Sequence, residues 1–144
     1  MNIYEPCYLA KERSIPEKNF EEFIDAQKEK IVWWYKNGKE KRTYFSVRYE
    51  EDGYPKSFYP DYVVQFKDGR VGIFDTKEGQ TAKDAKAKAE ALQKYIREEN
   101  IKGKNLFGGI LIQDDNEKWR LNQNAEYEYN PRDLRDWHWM EEMM

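Results

Sequence analysis

The chain has 144 residues, 39% of them hydrophobic and 37% charged, with a formal net charge of -3. That length suits one domain burying roughly two-thirds of its unfolded surface, and the near-balance of charge excludes a uniformly basic nucleic-acid coat. A single cysteine, Cys7, excludes an intrachain disulfide and a cysteine-built zinc site, a lone His138 offers little to histidine catalysis, and no apolar run approaches the ~20 residues of a spanning helix. A soluble, cytoplasmic protein without a membrane partner is the expectation.

Residues 4–10 read as an edge strand because of Pro6. Ser14-Ile15-Pro16-Glu17 carries helix-start signals: a capping serine, a proline for the first turn and a glutamate three residues after the serine. Phe20, Phe23, Ile24 and Ile31 recur at helical spacing, so an amphipathic helix is expected over 16–30. Residues 31–35 and 43–49 read as two strands around the Asn37-Gly38 turn, with 51–55 as a loop. The aromatic run Trp33-Trp34-Tyr35 is expected to serve the core rather than to stack on nucleic-acid bases.

Residues 59–77 form the most informative stretch. Two runs rich in Val, Ile, Tyr and Phe, 62–66 and 71–74, flank Lys67-Asp68-Gly69-Arg70, a hairpin signal. Asp61 opens the first strand, while Asp75 and Lys77 close the second on one face. Side chains face the same way only when they stand opposite or an even number of residues apart. A two-residue Asp68-Gly69 turn would set Asp61 against Thr76 and separate the carboxylates. A three-residue loop with Gly69 in the left-handed region pairs Phe66 with Arg70 and Asp61 with Asp75, and this bulged loop is the prediction.

Beyond Gly79, Ala82, Ala85, Ala89, Leu92 and Ile96 form one stripe of a helix over 81–100, with Thr81 as its cap. Residues 106–112, apolar on both faces, read as a buried strand parallel to the hairpin. Short edge strands are expected at 118–121 and 127–129, and a terminal helix at 133–143 with Leu134, Trp137 and Met140 sealing the domain. The predicted fold is α/β: a central mixed sheet flanked by helices, with the order α-β-β-β-α-β and added C-terminal strands and a helix. One domain is expected over 1–144, with a core at 16–112 and an extension at 113–144.

Two carboxylates and a lysine at strand ends suit a hard divalent cation, which needs few protein ligands when water and a phosphodiester supply the rest. Lys77 would orient the attacking water or offset charge in the transition state. Lys83, Lys86 and Lys88 are candidates for a DNA phosphate track, although lysines on an alanine-rich helix commonly form its solvated face.

Pro60-Asp61 followed by Asp75-Thr76-Lys77 after a hairpin, with a helix before and a helix and strand after, resembles the signature of the PD-(D/E)XK nuclease superfamily. More narrowly, Pro16 to Phe23, Phe58-Tyr59-Pro60-Asp61-Tyr62 and Asp84-Ala85-Lys86 are similar to the C-terminal endonuclease domain of type III restriction subunits and related helicases. The resemblance covers residues 16–112 and implies a restriction-endonuclease-like core. It also implies a magnesium-dependent endonuclease acting on DNA, with manganese as a substitute metal. By the resemblance, Asp61, Asp75, the Thr76 carbonyl and a first-helix glutamate would bind the metal, and Lys77 would be the catalytic lysine. Glu17, one turn before Phe20, is the preferred glutamate, although a capping box explains it without chemistry.

No Gly-x-x-x-x-Gly-Lys-Ser/Thr loop is present, so no ATP site is expected, and helicase and recognition or methylation parts would be separate partners. The alternatives are a catalytically silent nucleic-acid- or protein-binding module of the same fold, and a stand-alone repair or junction nuclease.

Overall fold

A computed structural model describes residues 15–37 and 45–144. The expected edge strand at 4–10 and the Ser14 cap lie outside them. The first helix, α1 (Ile15–Asp25), buries Phe20 and Ile24 and stops a turn earlier than predicted. Residues 26–30 bring no apolar side chain larger than that of Ala26, and the turn they form releases Ile31 into a strand.

Among the described residues, that strand, β1 (Ile31–Lys36), does not pair with the 47–51 segment that follows. β2 (Val47–Glu51) and β3 (Tyr54–Phe58) form their own two-stranded ribbon instead. Asp52 and Gly53 link them with φ of 54° and 81°, the twin left-handed geometry of a tight hairpin turn, where a loop was expected. Pro55 is tolerated because the ribbon has only edge strands.

The remaining strands build a six-stranded sheet in the order β1-β4-β5-β6-β7-β8. β4 (Tyr62–Phe66) lies antiparallel to both β1 and β5 (Val71–Thr76). β6 (Leu106–Gln113) runs parallel to β5, as expected for a strand reached by a helical crossover. The crossover contains α2 (Gly79–Lys83) and α3 (Lys86–Ile101), not one continuous helix. Thr81 sits within the first turn of α2 rather than capping it: its Oγ1 accepts from Glu78 N at 3.0 Å and donates to Glu78 O at 2.7 Å.

The bulged hairpin is present. Tyr62 stands opposite Phe74 and Gln65 opposite Val71, the register that sets Asp61 against Asp75. Phe66 N donates to Arg70 O at 2.9 Å, Gly69 N donates to Phe66 O at 3.1 Å, and Gly69 has φ 98°. Left-handed backbone carries little penalty only in glycine, so the residue type at 69 and the register at 61 are one fact.

Each face of the sheet covers its own core. Phe20, Ile24, Trp34, Tyr62, Phe74 and Trp119 pack on the α1 side. Ile73, Ala85, Ala89, Leu92 and Ile110 pack under α3, together with Val47 and Phe58 from the ribbon.

The C-terminal extension departs most from expectation. β7 (Trp119–Asn122) forms as predicted, but 127–129 is not a strand, and the helix expected at 133–143 is reduced to α4 (Met140–Met143) after the short β8 (His138–Trp139). Trp137 packs beneath α3 with Tyr127, whereas Met140 enters the α1-side core. Residues three apart on a helix share a face, so a chain that must reach both faces crosses the sheet edge as a strand. His138 lies on the surface.

Candidate metal centre

Strand alternation sends Tyr62 and Phe74 toward α1, and so turns Asp61 and Asp75 toward the α3 side. Hydrogen bonds tie Asp61 to both Asp75 and Thr76. Asp61 N donates to Asp75 Oδ1 at 3.0 Å, and Asp61 Oδ2 accepts from Thr76 N and Thr76 Oγ1, each at 3.0 Å. Asp75 is 2% exposed, and its Oδ2 lies 2.7 Å from Lys77 Nζ, an ion-pair contact without hydrogen-bond alignment.

The electrostatics follow from this crowding. Burial and then the neighbouring Asp61 push the Asp75 carboxyl up to about 7, against the opposing pull of Lys77. Burial also works to lower Lys77, but Asp75 outweighs it and leaves the ammonium above the ordinary lysine range. One ammonium facing two carboxylates leaves a net negative charge in a largely dry setting. A hard divalent cation would relieve it, and a buried carboxylate oxygen without an aligned donor is where such a cation would bind. The donor set fits magnesium or manganese, both of which favour oxygen ligands. Among the described residues no three Asp, Glu, His or Cys side chains converge, so water, phosphate and a backbone carbonyl such as that of Thr76 would complete the shell.

Other predicted site residues lie elsewhere. Glu17 does not join the aspartates: α1 covers the opposite sheet face, and the Glu17 carboxylate pairs with Lys36 on β1. The buried glutamate of α1 is Glu21, whose Oε2 accepts from the Tyr62 hydroxyl at 2.6 Å, and not the preferred Glu17. Lys86 is exposed and pairs with Glu90 at 2.7 Å, Lys88 leans over the Phe58 ring of the ribbon, and Lys83 is exposed at the end of α2.

Two residues that the sequence reading passed over help build the site. Asn37 N donates to Asp61 O at 2.7 Å, while its side chain donates to Phe45 O and accepts from Phe45 N. That bracket fixes the backbone at Asp61, and its only sequence signal is an Asn-Gly pair read as a turn. Tyr49, on the ribbon, adds a minor electrostatic push that raises Lys77.

A YagJ family model matches residues 13–123. The chain belongs to the YagJ family. The YagJ match spans α1 through β7 and therefore contains Asp61, Asp75, Thr76 and Lys77, and it stops short of β8 and α4. Neither a curated protein nor a solved structure matches the chain.

Proposed function

We propose that this chain hydrolyses phosphodiester bonds in DNA with the help of a divalent cation, magnesium or manganese, on a restriction-endonuclease-like core. One observation carries the reading: Asp61 and Asp75 face each other across a bulged hairpin, and Lys77 is ion-paired to the buried member of the pair. In this reading Asp61 and Asp75 hold the cation, with the Thr76 carbonyl beside them. When bound, the cation offsets charge on the phosphate and acidifies a water.

The chain's own residues supply the rest. Thr76 N and Oγ1 hold Asp61 Oδ2, which leaves the second carboxylate oxygen to face the site. Lys77 stays protonated, so it acts as a donor that orients the water or offsets charge on a phosphate oxygen, not as a base. Nothing in this chemistry uses ATP. A helicase motor or recognition subunit of a type III restriction-like system would be a separate partner.

The test is plasmid cleavage across a magnesium and manganese titration. Cleavage is expected to require the metal, and Asp75→Ala is expected to abolish it while DNA binding stays within a few-fold. A wild-type protein that cuts no supercoiled, linear, branched or single-stranded DNA with either metal would overturn the proposal. The second reading, a silent nucleic-acid- or protein-binding module of the same fold, would then stand. Its support is the engagement of Glu17 by Lys36, which withdraws a third acidic ligand.

A further inference from the structure

Strand β1 carries three consecutive aromatic residues, and the fold treats them differently. Trp34 is 1% exposed, its ring centroid 5.8 Å from that of Tyr62 in the α1-side core. Trp33 and Tyr35 alternate to the other face and are only half-buried. Their rings stack on one another, with centroids 6.0 Å apart and planes 28° from parallel. Neither belongs to the packed interior of either core.

Their face is that of the two aspartates. Tyr35 stands opposite Val63 on β4 and Trp33 opposite Gln65, while Asp61 lies two residues before Val63 on the same side of the sheet. Strand geometry puts the Tyr35 backbone ~5 Å across and ~7 Å along the sheet from that of Asp61, with Trp33 another ~7 Å on. The helical layer on this face, α3, packs over β6 and the β2 ribbon.

We propose that Trp33 and Tyr35 form a stacking platform for unpaired bases of the strand whose phosphodiester lies at Asp61 and Asp75, so that the substrate is DNA with unstacked nucleotides beside the cleavage point. This inference rests on the hydrolytic reading above. Every base has a face that can extend an aromatic stack, and each such contact contributes regardless of sequence. Bases inside a duplex already spend their faces on one another. A platform a few nucleotides from the metal pair therefore selects single strands, flaps or frayed ends over intact duplex.

The experiment uses the full chain and a labelled oligonucleotide of mixed sequence, offered single-stranded and as a duplex. Binding is measured by fluorescence anisotropy in EDTA, and cleavage in magnesium. The wild type is expected to prefer the single strand, and Trp33→Ala or Tyr35→Ala to weaken single-strand binding about tenfold with little change for duplex. Trp33→Phe and Tyr35→Phe should retain most of the affinity. Because an alanine variant can fail to fold, the wild type is also cross-linked to 5-iododeoxyuridine-substituted single strands, with adducts expected on Trp33 or Tyr35.

Adducts confined to other residues, or folded alanine variants with unchanged single-strand affinity, would overturn the platform. Metal-dependent cleavage alongside that result would leave the hydrolytic reading intact. Single-strand binding through Trp33 with no cleavage in any metal would overturn the hydrolytic reading and keep the platform. A wild type that binds no DNA overturns both.

Discussion

Two acidic side chains are buried against the end of the same hairpin, one on each face of the sheet, and they are treated in opposite ways. Glu21, 8% exposed, accepts a short hydrogen bond from the Tyr62 hydroxyl inside an aromatic core. Asp75, 2% exposed, is set beside a second carboxylate and meets Lys77 without hydrogen-bond alignment. Glu21 is given a hydroxyl donor, whereas Asp75 is given a like charge and a cation. Burial alone does not separate the two. What distinguishes them is whether the surroundings satisfy the carboxylate.

The sharpest way to break this contrast is to remove the lysine. Lys77→Ala should lower metal-dependent cleavage by on the order of a hundredfold or more, read as single-turnover rates, while Tyr62→Phe should change it by no more than a few-fold. A Lys77→Ala rate equal to wild type would remove Lys77 from the chemistry.

Next in size is a pH effect on stability. Below its ordinary value of 3.8, Asp75 is protonated in both the folded and unfolded states; between 3.8 and about 7 only the folded chain keeps the proton. The contribution of Asp75 to stability should therefore be full at low pH and fall as pH rises through that window, by on the order of a few kcal/mol without metal. Thermal melting from pH 5 to 8 in EDTA checks it, and Asp75→Asn should flatten the profile. Since proton and cation compete for the same oxygens, magnesium or manganese should raise the melting temperature more at pH 8 than at pH 5.5.

On the other face, Tyr62→Phe withdraws the donor from Glu21 Oε2 and should cost about 1–3 kcal/mol in urea denaturation. Gly69→Ala should cost about 1–2 kcal/mol, all from backbone strain, because a Cβ there has nothing within 4 Å to strike.

Legibility in the sequence followed how local the deciding interactions are. The β4–β5 register was readable because one glycine and the apolar runs on either side specify it. The choice between Glu17 and Glu21 was not, because it depends on Tyr62 and Lys36, partners contributed by other elements. Helical spacing alone favours Glu17 as the glutamate bordering the buried stripe. The Asp52-Gly53 turn was present in the letters, yet the sparsely apolar segment after it, with Pro55, hid the second strand of the ribbon.

At the C-terminus the spacing of Leu134, Trp137 and Met140 signals a helix, and the local signal is overruled by two separate cores, one taking Leu134 and Trp137 and the other Met140. Asp61, Asp75, Thr76 and Lys77 were readable as a group because the hairpin alone assembles them. Asn37 was not, because it reaches the site from beyond the end of β1.

The backbone hydrogen bonds that join Asp61 to Asp75 and Thr76 to Asp61 make the site its own spectroscopic gauge. The amide proton of Asp61 rests on the Asp75 carboxylate, and the amide proton of Thr76 on that of Asp61. Hydrogen bonding to a carboxylate depends on its charge, so proton uptake or cation binding at either side chain will shift a backbone resonance one strand away. In a nitrogen-15 spectrum those two peaks would report separately on the two side chains, with no probe introduced into the site.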